Sequence, residues 1–193
     1  DMDLLLKSID TLMNSLGHVY EFRVLGGEPF VNRQIHRVID KLVSFASADN
    51  VVIYTNATII PRDKNLSCLK HHKVKLDITN YANVGESKNH AKLIEALSAN
   101  GIAYVTHLAT FWTDSGTIKY RRRPEKELTE QFQNCCVGDV LNLLNGKLYM
   151  CPFSANAHNL GSIPPEKEDV IDLSAYGADI SALKAEIAGL YTR

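Results

Sequence analysis

The sequence predicts an α/β protein built on a parallel sheet. Three observations predict it: apolar stripes at helical spacing alternate with short Val- and Ile-rich runs over residues 4–107, one run is nearly all apolar, and glycine or polar pairs close the runs. Right-handed βαβ crossovers follow from that alternation, in a sheet either closed into a barrel or left open.

The elements follow in order. Leu5, Ile9, Leu12, Met13 and Leu16 recur at spacings of three and four, which predicts a helix over 4–16 with Asp3 as N-cap and Gly17 as its stop. His18 to Leu25 is rich in Val, Tyr and Phe, predicting a strand that breaks at Gly26-Gly27. Ile35, Val38, Ile39, Leu42 and Val43 share one face of a helix from Asn32 to about Ala48. Val51 to Thr55 has the apolar character of a strand buried on both faces. A short helix is predicted over Lys64 to Lys70, a third strand over Lys73 to Ile78, a helix carrying Ala91, Ile94 and Leu97 up to Asn100-Gly101, and a fourth strand over Ile102 to Thr106. The pattern breaks after His107. Residues 108–134 show no period, residues 135–163 suggest a compact hairpin containing cysteine and glycine, and Ile180, Leu183, Ile187 and Leu190 mark a last helix.

Composition excludes several classes. Hydrophobic residues at 45% and charged residues at 22% supply enough apolar surface for a core, so a disordered chain is ruled out. A length of 193 residues suits one domain with an appendage. Lys+Arg of 21 against Asp+Glu of 22 leaves a net charge of -1, without the basic excess that binding to nucleic acid requires. No apolar run approaches the roughly 18 residues needed to cross a bilayer, so no membrane association is expected. Asp1 to Lys7 has no secretory pattern, and a cytoplasmic location is expected. There the four cysteines, Cys68, Cys135, Cys136 and Cys151, are thiols or metal ligands rather than a disulfide framework.

Ligands of parallel βα sheets gather beyond the carboxyl ends of the strands. The four predicted strands end in Gly26-Gly27-Glu28-Pro29, Thr55-Asn56, Thr79-Asn80 and Thr106-His107. Paired glycines let backbone approach a ligand closely, Glu28 offers a carboxylate to an ammonium group, and Pro29 stiffens the exit. Such a loop suits a zwitterion, although a turn with no ligand would use the same residue types. Asn56 and Thr79 can donate to a carboxylate or a sugar hydroxyl, and His107 can line a substrate pocket. From Cys136 the chain runs nine residues to Gly146, then four to Cys151-Pro152, and a turn at the glycine is expected to bring thiolates to one side of a β-ribbon. Cys135 is an equivalent first ligand; Cys68, Arg121-Arg122-Arg123 and the His71-His72 pair are assigned no site.

Together these motifs resemble the radical S-adenosylmethionine (radical SAM) enzymes of the branch that carries a SPASM or twitch extension. The second strand of that family's partial (β/α)6 barrel ends in Gly-Gly-Glu-Pro, matched here by Gly26-Gly27-Glu28-Pro29. The resemblance implies that this loop holds the methionyl amino group of S-adenosylmethionine, with Asn56 and Thr79 completing the cofactor site. It implies that Cys136 (or Cys135) and Cys151 are metal ligands in an extension opened by Cys, nine to fifteen residues, Gly, four residues and Cys. Residues 1–132 then form the partial barrel and 133–193 the extension.

The departures are as informative as the matches. No three-cysteine motif for the catalytic [4Fe–4S] cluster precedes Gly26, and no cysteine follows Cys151. An internal piece of a longer enzyme, inactive by itself, is therefore expected. In the family the reduced cluster cleaves S-adenosylmethionine to a 5′-deoxyadenosyl radical that abstracts hydrogen from substrate. The implied partners are a small-molecule or peptide substrate and a reductase or flavodoxin-type electron donor. The alternative is a βα module that binds small molecules, with zinc on Cys135, Cys136, Cys151 and His158. A further alternative is a barrel enzyme with Glu28 as general base. Substrate contacts are expected in 108–134, at Phe111, Trp112, Asp114 and the arginines.

Overall fold

A computed structural model describes all residues except 86–87, 111–118, 136, 139, 164–168, 178 and 191–193. The chain divides into two compact units, Gly17–Thr113 and Asp1–Leu16 with Asp114–Arg193.

The first unit is an α/β layer. Strands β1 (Val19–Val24), β2 (Ala48–Thr55), β3 (Val74–Asn80) and β4 (Tyr104–Leu108) form a wholly parallel sheet in sequential order. Sequential order with right-handed crossovers places every connecting helix on the same face. Those helices are α2 (Ile35–Val43), the short α3 (Asp63–Ser67) and α4 (His90–Ala99).

Burial separates the two sheet faces, because side chains alternate along each strand. Val24, Ile53 and Leu76 are in register, as are Val51 with Val74 and Thr55 with Ile78, and all seven are buried. This is the helix-covered face: α2 packs on β2, while Ser98 and His90 of α4 bond Tyr104 and Thr106 of β4 at 3.3 and 2.9 Å. Ile39, Leu93 and Leu97, fully buried on α2 and α4, supply the helices' share of the core. The opposite face carries Glu21, Arg23, Tyr54, Lys75, Asp77, Thr79 and His107, with Ala48 and Val52 as buried apolar members.

In the second unit, β5 (Asn142–Leu144) and β6 (Lys147–Tyr149) form an antiparallel hairpin, and β7 (Val170–Asp172) pairs with β6. Its helices are α1 (Met2–Ser15), α5 (Glu125–Gln133), α6 (Pro152–Asn159) and α7 (Ile180–Gly189). Leu12 of α1 packs in one cluster with Leu148, Ile171, Leu183, Ile187 and Leu190. The hairpin turn is Asn145-Gly146, with φ of 50° and 78°, the left-handed pair that matches strand twist. At Gly146 an added Cβ would also stand 3.3 Å from Leu4 Cδ1. Gly146→Ala is therefore expected to lower stability by about 1–2 kcal/mol, read as a fall in the urea midpoint.

Several elements differ from expectation. The cap of α1 is Asp1, whose carboxylate accepts from Asp3 N at 2.8 Å and Leu4 N at 3.1 Å, and not Asp3. α1 also belongs with the C-terminal segment rather than with the parallel sheet, because Leu12 finds its apolar partners there. α2 is shorter than Asn32 to Ala48: Asn32 Oδ1 turns the chain by accepting from Gln34 N at 2.9 Å, and β2 already begins at Ala48. β3 and β4 run on to Asn80 and Leu108, so Thr79 and His107 lie within strands. α5 and α6 are additions to the predicted set.

Candidate functional site

β1 ends at Val24, and Leu25, Gly26 and Gly27 emerge exposed. Buried Pro29 and Phe30 anchor the other side of the loop in a single 3-10 turn. Glu28 caps that turn, its Oε1 accepting from Phe30 N at 3.1 Å. Oε2 accepts from Thr55 Oγ1 at 2.7 Å and from Asn56 N at 3.0 Å, tying the end of β1 to the end of β2. A carboxylate has about four lone-pair sites, so three are engaged and one on Oε1 remains for another donor.

Asn56 mainly braces this loop. Its Nδ2 donates to Gly27 O at 3.2 Å, and its Oδ1 accepts from Thr58 N at 3.0 Å and Thr58 Oγ1 at 2.6 Å. One amide hydrogen of Asn56 is left for a ligand. Among the described residues, the N–H groups of both glycines and the Gly26 carbonyl have no hydrogen-bond partner.

Nothing in the fold requires glycine at these two positions. Neither Gly26 nor Gly27 has a positive φ. An added Cβ would meet only Pro29 N at 4.0 Å from Gly26, and nothing within 4 Å from Gly27. The bare backbone thus borders open space, as a cradle for a ligand's polar end would.

Beside this loop lies the polar sheet face, a grouping of Glu21, Arg23, Tyr54 and Asp77 that the motifs did not single out. Arg23 Nε donates to Glu21 Oε1 at 2.6 Å, and this bond raises the Arg23 pKa further. Burial pushes the Tyr54 phenol up, with Arg23 drawing it down and Asp77 and Glu21 adding to the rise. Asp77 Oδ1 lies 3.3 Å from His107 Nδ1, and Thr79 Oγ1 lies 3.2 Å from His107 Nε2. The sequence held one signal for this face: polar residues at every second position in Glu21-x-Arg23 and Lys75-x-Asp77-x-Thr79.

The cysteine positions are different in kind. Cys135 is exposed, Cys151 is half-buried at the start of α6, and Cys136 lies outside the described residues. The hairpin pairing ends at Asn142↔Tyr149, two residues short of Cys151. His158, a zinc ligand in the alternative, has its Nδ1 3.2 Å from Tyr149 OH. Among the described residues, no group of three or more His, Cys, Asp or Glu is placed to hold a metal ion.

Of the other sequence candidates, Arg123 pairs with Glu127 at 3.4 Å, while Phe111, Trp112 and Asp114 lie outside the described residues. Burial, then the charge of Asp40, pushes the Cys68 thiol up to about 12. Alkylation requires thiolate, so at pH 8 Cys68 is expected to react with iodoacetamide about a hundredfold more slowly than exposed Cys135, as peptide mass spectrometry would measure.

No protein-family model matches the chain, and no curated protein is significantly similar to it. No helix among the described residues is long and apolar enough to cross a membrane.

Proposed function

We propose that this chain is the cofactor-cradling part of a radical SAM enzyme, in which Gly26, Gly27 and Glu28 hold the amino-acid end of S-adenosylmethionine. The observation that carries the reading is the diglycine whose missing side chains the fold does not require. The sequential parallel order, with helices on one face, is the arrangement of an arc of a (β/α) barrel. On that reading the polar face is the barrel interior and the loops after β1 and β2 form its mouth.

The residues fit the amino-acid end of the cofactor. The free glycine N–H groups suit its carboxylate, while the Gly26 carbonyl and the remaining Oε1 site of Glu28 suit its ammonium group. Thr79 stands on the same side of the sheet for a ribose hydroxyl. Bound at a reduced [4Fe–4S] cluster, S-adenosylmethionine supplies the 5′-deoxyadenosyl radical. This chain's cysteines, at 68, 135, 136 and 151, lack the spacing of the catalytic cluster motif, so its contribution is binding, orientation and exclusion of water.

Titration of the ¹⁵N-labelled chain with S-adenosylmethionine tests the proposal. The amide resonances of Gly26, Gly27, Asn56 and Thr79 are expected to move together. S-adenosylhomocysteine, which keeps the amino-acid end, reproduces the glycine shifts, and 5′-methylthioadenosine, which lacks that end, does not. Absence of shifts with S-adenosylmethionine, or equal glycine shifts with methylthioadenosine, overturns the assignment.

A further inference from the structure

The polar sheet face holds a second constellation whose chemistry differs from that of the cradle. Asp77 Oδ1 is shielded from solvent and has no aligned hydrogen bond among the described residues, while His107 Nδ1 stands 3.3 Å from it. A buried carboxylate oxygen without a donor is costly, and an ionised carboxylate can only accept. A proton on Nδ1 of the neutral ring is the donor nearest to Asp77 Oδ1, 3.3 Å away though not aligned in the free protein. Nε2 is then the acceptor, and the Thr79 hydroxyl 3.2 Å away is its donor.

The setting of this pair defines what it can bind. Glu21, Arg23, Tyr54 and Lys75 face the same side from β1, β2 and β3. Glu21 and Asp77 balance Arg23 and Lys75, and Arg23 is already tied to Glu21. An anion gains nothing from such a balanced face. A neutral ligand with several hydroxyls finds donors and acceptors of both kinds.

We propose that His107, held by Asp77 as its positioning residue, is a proton acceptor for a hydroxyl of a neutral polyhydroxylated substrate, with Thr79 keeping the place of that hydroxyl in the free protein. In the step, the substrate O–H bond breaks and the Nε2–H bond forms, leaving an alkoxide beside an imidazolium paired with Asp77. The inference rests on the cofactor reading only for where the substrate lies, and neither measurement below involves the cofactor.

Long-range ¹H–¹⁵N spectra of the full chain, recorded where the imidazoles are neutral, are expected to show His107 as the Nδ1–H tautomer. Asp77→Asn shifts it toward Nε2–H, because an amide can donate to Nδ1. Diethyl pyrocarbonate, which attacks an unprotonated ring nitrogen, is expected to label His107 about tenfold more slowly in Asp77→Asn and about threefold faster in Thr79→Val, as peptide mass spectrometry would follow. An Nε2–H tautomer in the wild type, or no acceleration in Thr79→Val, overturns the proposal even if Asp77→Asn fails to fold. myo-Inositol is expected to protect His107 from labelling and inorganic phosphate is not. Protection by phosphate alone, or by neither, overturns the ligand class.

Discussion

Glu28→Ala is expected to lower stability by about 3 kcal/mol, measured as a shift of the urea midpoint at constant slope, and, on the proposed cofactor reading, to abolish binding of S-adenosylmethionine. The carboxylate serves three donors at once: Phe30 N at 3.1 Å, Thr55 Oγ1 at 2.7 Å and Asn56 N at 3.0 Å. Hydrogen bonds to a charged acceptor contribute roughly 1.5–3 kcal/mol each, but water reaches part of this loop and replaces some of that loss. The Thr55 hydroxyl decides the magnitude, since its residue is only 4% exposed and water cannot readily take the place of Glu28 there. Glu28→Gln keeps one acceptor oxygen and sets an amide against one donor, so its loss is about half as large. Equal stability of wild type and Glu28→Ala would show that the brace between β1 and β2 contributes nothing.

The parallel sheet was legible because burial and period agree there. Ile53, Leu76 and Ile78 are apolar in the sequence and fully buried in the structure, and the stripe Ile35, Val38, Ile39, Leu42 is the buried face of α2. α5 was illegible for the converse reason: Leu128 and Phe132, its apolar residues, are 51% and 55% exposed, so no stripe faces a core. α6 buries only Ala155 and Ala157, which are two residues apart and so share no helical stripe, and are too small to mark a periodic pattern. The packing of α1 was out of reach too, since Leu12 joins a cluster with Leu148 and Leu183, residues that only the folded chain brings near.

The candidate site divides in the same way. Its cradle is contiguous in sequence, and Gly26 to Pro29 could be singled out as residues. Its brace was not legible, because Thr55 and Asn56 were visible as a strand end but not as the donors that occupy Glu28. The Asp77–His107 pair depends on the register of β3 with β4, in which Thr79 faces His107 and Asp77 faces Val105. Period fixes which face a residue takes, whereas register fixes its neighbour, and register arises from packing over the whole sheet.

Gly27→Ala is expected to stabilise the chain and, on the proposed cofactor reading, to weaken binding of S-adenosylmethionine, two effects of opposite sign from one methyl group. Gly27 does not have a positive φ, and an added Cβ meets nothing within 4 Å, so the folded state accepts alanine without strain. The unfolded chain loses freedom, which raises stability by about 0.4–1 kcal/mol. The same methyl projects from the backbone that would meet the ligand's amino-acid end. There it displaces the N–H and C=O contacts by more than a hydrogen bond tolerates, and affinity falls about tenfold or more. Gly27→Val carries the larger group and is expected to lose about a hundredfold in affinity, with the sheet unchanged in circular dichroism. Thermal unfolding and the ¹⁵N titration measure the two effects separately. If Gly27→Ala binds as well as wild type, the diglycine is an ordinary turn and the cradle has no ligand; if it unfolds at lower temperature, glycine stands there for the fold.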